Sequence, residues 1–148
     1  MEKIDISKFE QIVPSRGGVK GARWTLSKAT EIIRINKYAI DEDDIWEMNF
    51  IEIKVRKENN KIIVLFIFSE NKDDLKNPFS VGHYQDDKNN RSLSFSCAGI
   101  FRKFSMKAKN VLGGEDKSIL LKINVQEQEG KKYFISEIPI TNHSNLPH

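Results

Sequence analysis

The chain has a single cysteine, Cys97, among its 148 residues, so no internal disulfide framework can form. Proline is scarce and histidine scarcer: only His83, His143 and His148 are present, and no two stand at metal-ligand spacing on one element, which argues against a zinc site. No segment approaches the roughly 20 consecutive apolar residues of a membrane helix, and no apolar run follows Met1. The expected location is the cytoplasm, with no membrane partner. Phosphate-loop and calcium-loop patterns are missing too. "RGGVKGARW" lacks a GK[ST] ending, "LGGEDKS" sets two acids where a phosphate would sit, and the acidic runs "DEDDI" and "KDDL" lack the glycine and terminal glutamate of a Ca²⁺ loop. These absences leave no catalytic, metal or cofactor residues to nominate. An enzyme using Cys97 is the remaining catalytic alternative, against which stands the usual role of a free cysteine as a small buried hydrophobe.

What is present is enough for a folded domain. A chain of this length buries roughly two-thirds of its unfolded surface, and 39% hydrophobic with 30% charged residues describes a globular protein. The net charge of +3 is too small to imply nucleic acid by itself, but it is unevenly spread. Residues 1–40 hold eight Lys/Arg against four Asp/Glu, residues 91–122 hold seven against two, and Asp41–Glu47 ("DEDDIWE") has five acids and no base. A basic face and a separate acidic patch are expected.

The pattern of apolar residues is that of a mainly β chain of the α+β kind. Residues 1–24 form an N-terminal basic arm: "KIDISKFEQIV" suits either a short strand or a helical turn, and "PSRGGVKGARW" is glycine-rich and pliable, with Trp24 anchoring its far end in the core. Residues 25–68 form a first β-rich half. In "EIIRI" the alternation sets Arg34 on the face opposite Ile33 and Ile35; "KYAIDEDDI" fits a short helix or turn with Ala39, Ile40 and Ile45 inward; "FIEIKV" is a strand with Ile51, Ile53 and Val55 on one side. Asn59 and Asn60, able to take positive φ, turn the chain into "IIVLFIF", a strand covered on both faces. Residues 69–91 are polar and read as a linker. Residues 92–140 form a second half: strand "SLSFS", turn or helix "CAGIFRKFSM", strand "SILLKINV", turn "QEQEGK" and strand "KYFISEI". Residues 141–148 are a tail.

The halves echo one another. Ile35 aligns with Phe95 and Ile40 with Ile100 at an offset of 60, and Ile53 with Ile123 and Val55 with Val125 at 70, so a ten-residue insertion falls in "MKAKNVLGGED". A single unit of this size cannot bury its own apolar face. Within residues 30–66, "IIRINKYAIDEDDIWEMNFIEIKVRKENNKIIV" resembles the AbrB/MazE-type swapped-hairpin domain, with a poorer match over 92–136. Asn36 replaces the family's proline, Met48-Asn49 its Gly-Asp turn, and Ile40 the arginine of its short helix. The resemblance implies interleaved hairpins, two copies forming a pseudo-dimeric β-barrel in one chain, as a monomer or a further homodimer, and DNA contact through basic residues near the first strand and helix.

Two functional expectations follow. The first is a non-enzymatic regulator or antitoxin-like module that binds double-stranded DNA through Arg16, Lys20, Arg23, Arg34, Lys37, Arg91, Arg102 and Lys103, where cations on a glycine-rich arm and at strand ends reach phosphates. The second is a small inhibitor or accessory factor that binds a protein partner through Asp43, Asp44, Trp46 and Glu47, an aromatic among charges being a common interface anchor.

Overall fold

Alternation along the strands decides which side chains meet in the core, and it does so in two sheets. The computed structural model describes residues 21–86 and 90–141; Arg16 and Lys20 of the expected arm, and the tail from residue 142, lie outside the described residues. In chain order the elements are β1 (Trp24–Ser27), β2 (Ile32–Ile35), α1 (Lys37–Asp43), β3 (Phe50–Glu58), β4 (Lys61–Ser69), β5 (Phe79–Ser80), β6 (Gly82–Asp86), β7 (Asn90–Ser96), α2 (Ala98–Lys103), α3 (Ala108–Val111), β8 (Ser118–Leu121), β9 (Asn124–Gln128) and β10 (Lys131–Pro139). They form two five-stranded sheets, ordered β6-β7-β2-β1-β8 and β5-β3-β4-β10-β9. Every pairing is antiparallel. The mainly β expectation holds, but the described strands form two open sheets and no closed barrel. Among the described residues no helix is long and apolar enough to cross a membrane.

The sheets face each other across an aromatic core. Trp24, Leu26, Ile33, Ile35, Leu93 and Phe95 are buried on the first sheet; Ile51, Ile62, Val64, Phe66, Phe134 and Ile138 are buried on the second. Trp24 ties them together, its ring centroid lying 5.2 Å from Phe66, 5.5 Å from Phe134, 5.9 Å from Phe68 and 6.1 Å from Phe95. Three of those four partners come from the opposite sheet, so this one side chain couples the two layers. Pairs of this geometry contribute about 0.5–1.5 kcal/mol each beyond the area they bury.

Each sheet joins an early hairpin of the chain to a later one. In the first, β2 pairs with β7 through Ile33↔Phe95 and Ile35↔Leu93; in the second, β4 pairs with β10 through Phe66↔Phe134 and Val64↔Ser136. The antiparallel β2–β7 pairing has a consequence for the helices. α1 starts just past the end of β2 and α2 just past the end of β7, so they leave from opposite ends of the same strand pair.

Several local expectations are corrected. Residues 69–91 are not a plain linker: they carry a 3-10 turn (Lys72–Asp74), β5, β6 and the start of β7. β6 is exposed at all five positions and therefore shows no apolar alternation; backbone pairing to β7 is what makes it a strand. "SILLKINV" is not one strand, because β8 pairs with β1 in the first sheet while β9 pairs with β10 in the second, and the chain crosses between layers at Lys122 and Ile123. Asn59 and Asn60 close the β3–β4 hairpin without left-handed φ; it is the β9–β10 hairpin that turns through Glu129 (φ 53°) and Gly130 (φ 80°). In β4, Ile62, Val64 and Phe66 are buried while Ile63, Leu65 and Ile67 are only half-buried, so one face is fully covered and the other partly. Glu52, on the outer face by alternation, is buried at 8% exposure because the segment after β4 folds over it and the Lys76 N–H donates to its Oε1 at 3.0 Å.

Candidate nucleic-acid interface

The basic residues expected to converge do not share one face. Arg34 projects from the centre of the outer face of the first sheet, exposed and flanked in register by Thr25 and Ser94. Arg23 and Lys37 lie at the α1 end of that sheet, organised by Asn36. The Asn36 Oδ1 accepts from the Arg23 N–H at 2.9 Å and from the Ala39 N–H at 3.1 Å, and its Nδ2 donates to the Gly21 carbonyl at 2.8 Å. A proline here would have no such side chain, so the departure from the swapped-hairpin pattern at this position has a structural use: Asn36 caps α1 and fastens residues 21–23 to it.

Arg91 is removed from any basic surface. Its Nη2 lies 2.6 Å from Asp41 Oδ1, and its guanidinium stacks over the Trp46 ring at 4.7 Å. The His83 ring also meets the indole, edge-on with centroids 5.0 Å apart, and His83 Nε2 lies 2.9 Å from the Trp46 carbonyl oxygen. Trp46, expected as an interface anchor, is thus half-buried against two side chains of its own molecule. Asp44 and Glu47 are exposed beside it. Asp43 is half-buried, and burial, reinforced by neighbouring Glu42, pushes its carboxyl above the ordinary carboxylate value, with Lys132 opposing. Lys132 Nζ donates to the Asp43 carbonyl at 2.7 Å.

Among the described residues, the strongest gathering of cations lies at the other end of the β2–β7 pair. Arg102 and Lys103 end α2, and Lys107 and Lys109 flank the start of α3. Arg102, Lys107 and Lys109 line a concavity of about 520 Å³ with Lys28, Glu31 and Ser105. Lys28 and Glu31 build its floor and do not face outward freely. Lys28 Nζ donates to the carbonyls of Gly113 and Gly114 at 2.7 and 3.0 Å, and Glu31 Oε2 accepts the Ala108 N–H at 2.7 Å. Left-handed backbone at Ser105 (φ 58°) turns the chain from α2 into α3. Arg102, Lys103, Lys107 and Lys109 are all exposed. Ion pairs among the described residues join Lys54–Glu52, Arg56–Glu58, Lys61–Glu58, Lys61–Glu137 and Arg91–Asp41, and none involves those four cations.

Lys107 and Lys109 are absent from the residues nominated by sequence. The signal was there in "RKFSMKAK", four cations in eight residues without an acid, but the stretch read as an insertion rather than as a surface.

The surroundings of Cys97 disfavour its thiolate. The residue is fully buried, burial and the nearby Glu31 push its thiol up to about 12, and its Sγ donates to the Glu31 carbonyl at 3.2 Å. Comparison with known proteins finds no family model, no curated sequence and no solved structure that matches this chain.

Proposed function

We propose that the protein is a non-enzymatic DNA-binding module of the regulator or antitoxin-like kind, and that the ledge formed by Arg102, Lys103, Lys107 and Lys109 is where it meets the phosphate backbone. The observation that carries this reading is the concentration of four exposed cations at one end of the fold, none ion-paired to a described carboxylate, three of which, Arg102, Lys107 and Lys109, line one concavity. Cations in that state attract a polyanion, and each phosphate they neutralise releases condensed counterions. Arg34, midway along the uncovered sheet, extends the basic track; Arg23 and Lys37 belong to the opposite, acidic end and contribute less.

The same reading treats the two pairs of hairpins as a duplicated unit folded as a pseudo-dimer. Its support is the spacing: β4 begins at Lys61 and β10 at Lys131, seventy residues apart, and the buried pairs Ile33/Ile35 and Leu93/Phe95 stand sixty apart. Its further support is the arrangement of hairpins, β1–β2 beside β6–β7 in one sheet and β3–β4 beside β9–β10 in the other.

Binding to a labelled DNA duplex, followed by fluorescence anisotropy at several salt concentrations, tests the proposal. Four phosphate contacts give a slope of log K against log salt of roughly −3 to −4. The double substitution Lys107→Glu/Lys109→Glu is expected to weaken binding at least about tenfold at low salt, two reversed contacts being lost at once. Absence of binding at low salt, or an affinity indifferent to that substitution, would overturn it.

A further inference from the structure

The two helical ends of the sandwich carry opposite charge, and that opposition is a property of the whole molecule. Residues 37–47, which run from α1 to the loop before β3, hold five acids against one base, Lys37, a net of −4 within the segment, partly offset by Arg23, Arg91 and Lys132 beside it; residues 98–109, which span α2 and the start of α3, hold four bases and no acid, a net of +4. The ends are separated by the length of β7, seven residues or roughly 20 Å, about twice the screening length at 0.1 M salt. They therefore neither neutralise each other within one molecule nor face the same way.

Not all of the charge at the acidic end is free. Asp41 is held by Arg91, and Asp43 is half-buried with Lys132 beside it. Glu42, Asp44 and Glu47 remain exposed, and no described residue forms an ion pair with them. Glu42 and Asp43 line a cleft of about 240 Å³ floored by Ile123 and Val125, and Val125 is 38% exposed. Three exposed carboxylates, one of them at the cleft, thus answer four exposed cations, three of them at the concavity. The match is between two surfaces that occur together on every copy.

We infer that copies of this chain associate head to tail, the Arg102/Lys103/Lys107/Lys109 end of one molecule seated on the Glu42/Asp44/Glu47 end of the next. Because the two ends leave opposite ends of the β2–β7 pair, the contact is not self-complementary as that of a two-fold dimer is, and repetition gives rings or open chains. Exposed charges make the contact fast to form and sensitive to salt. The inference rests on the charges of the two ends and not on the DNA reading, so the experiment is run without nucleic acid and the two stand or fall separately.

Sedimentation velocity of the full chain over a range of concentrations tests it. At low salt the weight-average sedimentation coefficient is expected to climb with concentration without stopping at a dimer, and in about 0.3 M salt the association weakens at least about tenfold. Lys103→Glu/Lys107→Glu, which takes residues 98–109 from +4 to 0, abolishes self-association; Glu42→Lys/Glu47→Lys, which takes residues 37–47 from −4 to 0, does the same; an equimolar mixture of the two variants restores one contact, the unaltered acidic end of the first on the unaltered basic end of the second, and gives a 1:1 pair. Circular dichroism of each variant shows whether it is folded, and the mixture provides the test that misfolding cannot imitate. A wild-type protein that stays monomeric at low salt and millimolar concentration, or variants that assemble separately as well as the wild type does, overturns the inference.

Discussion

Replacing Arg91 by alanine separates a structural arginine from a DNA-binding one. The side chain makes two contacts, an ion pair to Asp41 at 2.6 Å in which the partners are 29% and 43% exposed, and a stacked contact over Trp46 at 4.7 Å. Discounted for solvent screening, the ion pair contributes about 0.5 kcal/mol; the cation–π contact contributes about 1 kcal/mol at such a site. Arg91→Ala should therefore cost about 1–2 kcal/mol, lowering the melting temperature by roughly 2–8 °C in a domain of this size. Urea unfolding should show a lower midpoint with an unchanged slope, since the surface exposed on unfolding hardly changes. Asp41→Ala should cost less than Arg91→Ala because it leaves the stacked contact in place, and the double-mutant cycle should return a coupling near the ion-pair figure, about 0.5 kcal/mol. DNA affinity should remain within about twofold of the wild type, as for a residue with no phosphate contact. An Arg91→Ala protein with the wild-type unfolding midpoint and a DNA affinity as damaged as that of Lys107→Glu/Lys109→Glu would refute the assignment.

Other perturbations test the rest of the structure. Trp24→Ala removes a side chain that, with Phe95, bridges the sheets and should cost about 3–5 kcal/mol, a large part of the 5–15 kcal/mol typical of a whole domain, measured by the same urea titration. With its thiol pushed up to about 12, Cys97 should resist iodoacetamide at mildly alkaline pH in the folded protein and react promptly in denaturant; native-state labelling at the unfolded rate would contradict its burial. Asp43 carries a carboxyl raised by burial above its ordinary 3.8. The folded state thus holds the Asp43 proton more tightly than the unfolded chain, and the penalty for ionising it is present above the folded pKa and fades as the pH falls towards 3.8. Asp43→Asn should accordingly stabilise the protein at neutral pH and lose that advantage in acid, as read by thermal melts across the pH range.

Much of the fold was legible where the signal is local. The alternation of Ile33, Arg34 and Ile35 fixed both a strand and its buried face, and Ala39, Ile40 and Ile45 point inward as their spacing indicated, at 2%, 0% and 1% exposure. Trp24 sits in the core as expected. What escaped reading depends on partners distant in the chain. β6 has no apolar periodicity and exists because β7 pairs with it. Nothing in "SILLKINV" marks the point where the chain leaves one sheet for the other. Arg91 looked like any surface cation, since the acid and the indole that hold it lie about fifty residues away, at Asp41 and Trp46. The basic ledge was half-visible: Arg102 and Lys103 were nominated, while Lys107 and Lys109 join them only through the turn at Ser105 and the capping of α3 by Glu31.

The two short helices show how a fold of this kind can hold its shape while its surface changes. Each is too short to be stable by itself and depends on the apolar pair it buries, Ala39 and Ile40 in α1 and Ile100 and Phe101 in α2. Closing an end of the sandwich demands those inward positions and constrains little else. Even the caps differ: Asn36 accepts a hydrogen bond from the first turn of α1, whereas Cys97 offers α2 no side-chain cap and is instead buried against Glu31. The outward positions answer only to solvent and to partners, and there the helices have taken opposite sign. If the halves descend from one unit, as proposed, then packing held the inner faces alike while the outer faces were free to separate into an acidic end and a basic one. A symmetric dimer of identical chains could not have made that division, because whatever one end carried the other would carry too. Fusion into a single chain removes that restriction, and with it comes a molecule whose two ends can recognise different things.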